Sequence, residues 1–399
     1  MIRPPTRPTR PTAPPDLKTL RLAPASNPLR PVRTTRPRVL HVSPLMFGEG
    51  GIVGGGERYA YELARAMAMQ TRTRLVSFGE PLTRNVDGLR IEVFRPVAYV
   101  GRKRLGPISP SLAMAIAWAD VVHVHQIETF LTDQCVLIAR LFGKKVFLTD
   151  HAGGDRNFNR RLGTVDRATG LLLVSHFNAR GYRKWASKVR VIHGGADPAR
   201  FRPLPGLARM EKVLYAGRLI PYKGIHHLIE GVHPETAVIL AGESYHAEYR
   251  AYLDVVSQGR NVTFLGPLMG EDLVRTYNSS AVSVLPSVET DMYGKKYPKS
   301  EILGLVLLEA MACETPVVAS RIGGMMELVV DGETGLGVPP GDSAALGEAV
   351  ERLLGDEKLA REMGRAGRAR VAANFTWAAV ARRCIAAYAG DLGEEIPGA

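Results

Sequence analysis

The 399-residue sequence predicts two doubly wound α/β domains that face one another across a cleft. Three observations predict this. From Arg38 onward, short β-branched runs alternate with runs of helical period, the pattern of a parallel sheet with helices on both faces. The same rhythm restarts at Lys212, after a stretch that Pro203 and Pro205 interrupt. The length exceeds one ordinary core and suits two domains of roughly 150–200 residues each.

In the first half, residues 39–42 read as a buried strand and residues 57–69 as the helix after it. Further strands are expected at 121–124, 145–149 and 171–174, with a helix over 131–142. In the second half the expected strands are 213–216, 237–240, 282–285 and 316–319, with helices over 224–231 and 305–313. The linker is placed at 198–210. The chain then divides into a tail (1–37), an N-terminal domain (38–200), a C-terminal domain (201–375) and a last segment (376–399). Ligands of such sheets bind outside the carboxyl ends of the strands, so two facing domains share one site.

Composition excludes several classes. Hydrophobic residues at 45% and charged residues at 23% are ordinary for a globular chain. No apolar run reaches the roughly 18 residues of a membrane-spanning helix. Cys135, Cys313 and Cys384 form neither a disulfide framework nor a zinc pattern. Cys135 and Cys313 sit in apolar, helix-like runs and read as buried thiols, which fits a reducing cytoplasm. The net charge of +13 is uneven: residues 1–37 hold seven arginines and one lysine against one aspartate. This Pro/Arg-rich segment has almost no apolar periodicity and reads as disordered, and it lacks the apolar centre of a secretory signal. A solvated tail, a peripheral anchor to anionic membrane and a transit peptide all stay open. The rest is only mildly basic, so no specific nucleic-acid partner is expected.

Three constellations carry chemistry. Gly48, Gly50, Gly51, Gly54, Gly55 and Gly56 follow the first strand and open a helix. Their amides can approach an anion at a helix N-terminus, or they form a flexible loop only. They match neither a P-loop nor a clean dinucleotide fingerprint. Arg218 and Lys223 flank a short turn at a strand's carboxyl end, where both cations can converge on one diphosphate or face solvent. Glu301 and Glu309 flank an apolar run. Glu309 falls inside a helix with apolar neighbours and needs hydrogen-bond donors, either ribose hydroxyls or an internal ion-pair partner. Glu301 precedes that helix, within reach of sugar hydroxyls or of the capping amides.

Residues 301–312 (EILGLVLLEAMA) resemble the paired-glutamate motif of the retaining GT-B nucleotide-sugar glycosyltransferases. Residues 216–224 (AGRLIPYKG) are similar to that family's phosphate-binding turn. Residues 315–320 with Gly323, Gly324 and Glu327, and the loop 331–335, resemble stretches that follow its glutamates. Residues 191–197 with Phe201 look like its inter-domain crossing, and 375–377 like the start of its last helix, which returns to the first domain. The likeness is specific in the second half and loose in the first.

The resemblance implies a GT-B fold with two Rossmann-like domains, and transfer of a sugar from a nucleotide diphosphate donor with retention and without a metal ion. Arg218 and Lys223 would hold the diphosphate, Glu309 the ribose and Glu301 the transferred sugar. Amides around Gly54, Gly55, Gly56, Gly304, Leu305 and Val306 would add to the donor site. His151 matches the cleft histidine that meets the donor sugar, whereas His123 and His125 read as packing or supporting residues. His151, Arg218, Lys223 and Glu301 are the expected catalytic residues, with the nucleotide sugar as co-substrate and no other cofactor. UDP is the first choice of carrier; the acceptor is an unassigned glycan, lipid-linked or small-molecule hydroxyl. The expected place is the cytoplasm, including the inner face of the membrane.

The chain departs from the family pattern at a longer 288–300 loop, at Leu303 where an aromatic is usual, and at His193-Gly194 where Asn-Gly is common. The loop reads as a lid or recognition element. Rival readings are a nucleotide-sugar epimerase, a non-catalytic sugar-nucleotide binder and a polyanion-binding protein acting through its tail.

Overall fold

The structure, a computed structural model, describes residues 36–44, 55–100, 105–152, 162–394 and 396. Residues 1–35 of the basic tail, with its membrane reading, and Gly48, Gly50, Gly51 and Gly54 lie outside the described residues.

The N-terminal sheet is built from β1 (Arg38–Val42), β2 (Arg72–Phe78), β3 (Leu82–Val86) and β4 (Leu89–Phe94). A short ribbon of β5 (Ala98–Tyr99) and β6 (Pro107–Ile108) follows. The sheet is completed by β7 (Val121–His125), β8 (Lys145–Thr149), β9 (Gly170–Leu173) and β10 (Val189–Val191). Its order is β10-β9-β8-β7-β1-β2-β4-β3, parallel throughout except for the antiparallel edge β3. Val39, Leu40 and Val42 are fully buried, as a central parallel strand covered on both faces requires. β2, β3, β4 and β10 lie beyond the expected strands. β3 is mostly polar and exposed, so it lacks the apolar run by which buried strands are read.

The C-terminal sheet holds β11 (Met210–Ala216), β12 (Ala237–Ala241), β13 (Val262–Gly266), β14 (Ser280–Leu285), β15 (Val317–Ser320) and β16 (Leu336–Val338). Its order is β13-β12-β11-β14-β15-β16, all parallel. Strand order reverses between β11 and β14, and in the first sheet between β1 and β7. A crevice opens at such a switch point, where successive crossovers leave in opposite directions.

Helix α1 (Gly55–Ala68) packs against β2 and against the last helix, Trp377–Ala389. Thr376 caps that helix by accepting from the Ala379 amide at 3.1 Å. The Ala196 amide donates to the Phe375 carbonyl at 2.8 Å, stitching the crossing to the helix start. Tyr388 then reaches back to the N-terminal sheet, its hydroxyl 2.8 Å from His123 Nδ1. One apolar cluster runs from the second sheet through Leu303 and Trp377 to Tyr59, Leu63 and Met67 of α1. All three cysteines are free and buried. No helix among the described residues is long and apolar enough to cross a membrane.

Candidate donor site between the two sheets

At the second switch point, β11 ends and the chain turns through Gly217 and Arg218 into a short turn, Pro221–Lys223. Gly224 closes it with φ of +61°, and a Cβ there would lie 2.2 Å from the Pro286 carbonyl oxygen. Only glycine lets the turn lie against the end of β14. Arg218 donates to the Tyr222 hydroxyl at 3.0 Å, and Lys223 Nζ lies 5.5 Å from the centre of the same ring. Tyr222 thus carries both expected diphosphate cations.

Glu301 does not cap the following helix. Gly304 occupies the N-cap of Leu305–Ala312 at φ of +93°, and no side chain caps that end. Its first amides, those of Leu305 and Val306, open a helix at the switch point, as the anion reading requires. Glu301 instead pairs with Lys223 Nζ and accepts from the Ser287 hydroxyl at 3.1 Å. Gly323 and Gly324 hold its backbone, the Gly324 amide donating to the Glu301 carbonyl at 3.0 Å.

Glu309 is 2% exposed, inside the apolar helix where the sequence places it. Its donors in the structure belong to the protein. Arg58 of α1 crosses the cleft to Oε1, and the Tyr277 hydroxyl lies 3.3 Å from Oε2. The ion-pair alternative therefore describes the protein without ligand. Burial lowers the Arg58 pKa, while the nearby Tyr277 and Glu62 oppose that shift.

Two more carboxylates tie the halves together. Asp150, at the end of β8, accepts from Asn178 Nδ2 (3.0 Å), the Tyr182 hydroxyl (2.9 Å) and Lys299 Nζ (2.5 Å). Burial pushes its pKa up; the Lys299 charge and hydrogen bonds from Lys299, Asn178 and the Ala152 amide pull it below the usual value. Glu327 accepts from the amides of His176 (2.8 Å) and Phe177 (2.9 Å) and faces His193 Nε2 at 3.1 Å. Its pKa is also lowered, these bonds outweighing burial. His193 stands at φ of +56°, a conformation that asparagine and glycine adopt more readily.

His151 follows Asp150, half-buried, with its Cβ 3.4 Å from where a Cβ on Gly56 would stand. Gly55 and Gly56 form the first turn of α1. His123 and His125 are buried behind His151. His41, His123 and His125 bring ring nitrogens within 4.8 Å of one another, a spacing that could hold a metal ion. All six of their nitrogens, however, already have hydrogen-bond partners that a metal would have to displace. His176, His193 and Glu327 form a second such group.

No motif in the sequence marks Arg58, Asp150 or Lys299, and Glu327 enters only as part of a stretch that resembles the family's. Arg58 was traceable as a cation in the first turn behind the glycine loop. Asp150 was traceable as an acid at a strand's end beside His151. Nothing local marks Lys299, because its partner is 149 residues away.

The architecture is GT-B: two Rossmann-like units whose switch points face each other. Residues 53–200 match the family model described as Glycosyltransferase Family 4, and residues 205–370 that described as Glycosyl transferases group 1. The chain belongs to the group 1 glycosyltransferases of GT-B fold. It is 34% identical over 229 residues to a glycogen synthase of Mycobacterium tuberculosis, a match covering 53% of this chain and 51% of that protein. The chain thus spans about half the length of that relative. A D-inositol 3-phosphate glycosyltransferase of Corynebacterium diphtheriae is 29% identical over 419 residues, covering 88% of this chain and 93% of that one. Among solved structures, sucrose-phosphate synthase from Thermosynechococcus elongatus superposes with a TM-score of 0.69 at 26% identity, covering 89% of this chain and 98% of that chain. Anabaena HepE in complex with UDP gives a TM-score of 0.69 at 20% identity, covering 88% and 99%, a likeness of fold.

Proposed function

We propose that this protein transfers a sugar from a nucleoside diphosphate donor, uridine first among the carriers, to an acceptor hydroxyl, with retention and without a metal ion. The observation that carries the reading is the gathering of Arg218, Lys223, Glu301 and the uncapped helix start at Gly304 around one switch point. Breaking the anomeric bond places negative charge on the departing diphosphate. Arg218, Lys223 and the amides of Gly55, Gly56, Leu305 and Val306 stabilise that charge. A fixed donor of this kind contributes about 3 kcal/mol to a transition state.

Glu301 takes hydroxyls of the sugar, Glu309 takes the ribose, and His151 meets the sugar from the N-terminal side. The acceptor's proton leaves with the departing phosphate. The protein works in a reducing cytoplasm, which suits three buried free thiols. The acceptor enters from the N-terminal unit as a glycan, lipid-linked or small-molecule hydroxyl.

A panel of nucleotide sugars tested for protection against thermal unfolding identifies the donor, because a ligand at about 100 times its Kd adds roughly 2.7 kcal/mol of stability. The donor so found, incubated with and without acceptors, separates transfer from epimerisation. No melting shift with any nucleotide sugar at millimolar concentration would overturn the proposal.

A further inference from the structure

Four histidines of the N-terminal unit lie side by side at the carboxyl ends of its central strands. Register explains this: His41 of β1 pairs with His123 of β7, and His125, two residues on, shares its face. His125 pairs in turn with Thr149 at the end of β8, two residues before His151. The His41 and His125 ring planes differ by 19° with centres 5.3 Å apart, and those of His125 and His151 by 13° with centres 5.4 Å apart. Three contacts join Met67 and three of these histidines, His41, His125 and His151, into one row. His41 Nε2 lies 3.2 Å from Met67 Sδ, His41 Nδ1 lies 3.0 Å from His125 Nε2, and His125 Nδ1 lies 3.2 Å from His151 Nε2.

Burial keeps the row neutral, lowering His41 to about 3 and His151 to about 4. A neutral imidazole has one N–H donor and one bare acceptor nitrogen, whereas a thioether sulfur can only accept. The proton positions then follow from one end. His41 must carry its proton on Nε2 to face the sulfur, so its Nδ1 is bare. His125 must donate to that nitrogen from Nε2, so its own Nδ1 is bare. His151 must donate to it from Nε2.

We propose that Met67, acting through His41 and His125, fixes the tautomer of His151, leaving Nδ1 as a lone-pair acceptor at the cleft end of the row. No described residue bonds to that nitrogen. His41 and His125 are then positioning residues that never touch the substrate. The use of the acceptor rests on the donor reading above: Nδ1 takes a hydrogen bond from a hydroxyl of the donor sugar and disfavours any group there that can only accept.

The experiment is nitrogen-15 NMR of the full chain labelled at histidine, at pH 7 and without donor. His151 is assigned from the signals lost in His151→Gln. The wild type should show one His151 tautomer, with Nε2 protonated and Nδ1 bare. His125→Leu removes the acceptor and should give averaged shifts of two tautomers at His151. His125→Asn, which keeps an amide oxygen near the Nδ1 position, should restore the single form. Met67→Leu keeps the volume of the side chain and should release His41 into two tautomers.

A protonated Nδ1 on wild-type His151, or a single Nε2–H form in His125→Leu, would overturn the relay. An unchanged His41 in Met67→Leu would remove the sulfur as its origin. Because the spectra are taken without nucleotide, these failures are distinct from failure of the donor assignment, which the melting shifts decide.

Discussion

Lys299 of the C-terminal unit places its Nζ 2.5 Å from the carboxylate of Asp150 in the N-terminal unit, and that carboxylate is otherwise sealed from solvent. Lys299 stands one residue before the end of the long 288–300 loop. Earlier in the loop, Tyr297 packs on Tyr222 with ring centres 4.6 Å apart. The loop therefore runs from the aromatic ring that touches Arg218 and Lys223, the cations proposed for the diphosphate, to the residue preceding His151. The Lys299–Asp150 pair couples the position of one domain to the other at the site itself.

Lys299→Met should loosen this coupling. Asp150 keeps its Asn178, Tyr182 and Ala152 donors but loses its only cationic partner among the described residues. Breaking one side of a buried pair costs about 3–5 kcal/mol. Lys299 retains 28% exposure, so the loss should fall nearer 2 kcal/mol by the usual discount for solvent screening. The urea midpoint should drop, and the solution radius of gyration should rise as the cleft opens. A compact variant with unaltered stability would show that the pair does not hold the domains.

Acid should open the cleft by the same route. Asp150 and Glu327 both have pKa values lowered in the folded state, from 3.8 and 4.5 respectively. A depressed carboxylate stabilises the fold fully above its unfolded pKa and loses that contribution as pH falls through the folded value. Stability should therefore be flat near neutrality with respect to these groups and fall below about pH 4.5. The double variant Lys299→Met/Glu327→Gln should have a shallower acid limb than the wild type. Parallel urea midpoints from pH 6 to pH 3 in both proteins would refute the assignment.

Arg58→Met should separate the two roles of Glu309. In the free protein it strands a carboxylate that is 3% exposed, leaving Tyr277 as its one other partner among the described residues, and should cost about 2 kcal/mol by the same discount, because Arg58 is itself 28% exposed. Saturating nucleotide should recover part of that loss if ribose hydroxyls supply the missing donors. Glu309→Gln should by contrast weaken nucleotide binding about tenfold or more, the equivalent of one charge-assisted hydrogen bond at about 1.5–3 kcal/mol. Urea midpoints with and without nucleoside diphosphate measure the first, and isothermal titration measures the second. Equal affinity for wild type and Glu309→Gln would remove Glu309 from the ribose site.

The parts of this molecule legible in its sequence are those whose cause is local. Residues 39–42, 213–216 and 282–285 read as strands because a central parallel strand is apolar on both faces. Glu309 read as buried because helical period and apolar neighbours leave it no other place. The partners of these residues were not legible. Arg58 and Glu309 are 251 positions apart, and His41 and His125 are 84 apart. Their meeting depends on which strands are neighbours and how the domains face. Likewise β3 escaped notice because an edge strand needs no apolar face, and Glu301 was offered a helix cap that Gly304 in fact occupies.

Gly323→Ala tests whether Glu301 must stand where it does. Gly323 has φ of +60°, and a Cβ there would fall 1.7 Å from the Glu301 carbonyl oxygen and 3.5 Å from its Cβ. Neither the backbone conformation nor the space admits alanine, so one of the two segments must move. Gly324 bonds to the same carbonyl and anchors the helix Met325–Leu328, whose Glu327 is held by three donors of the opposite domain. The 301 side is the freer of the two, so the displacement should pass to Glu301 and its contact with Lys223. Misplacing a substrate-positioning group by about 1 Å can reduce turnover about 100-fold. Strain at a disallowed backbone conformation adds about 1–3 kcal/mol of destabilisation. The expected result is a melting point lowered by several degrees with kcat/KM lowered by about two orders of magnitude, the larger part in kcat. Donor affinity measured by titration should change less, because Arg218 and Glu309 do not touch the displaced segment. A variant that melts earlier yet turns over at the wild-type rate would show that Glu301 supports the fold of this turn and plays no part in transfer.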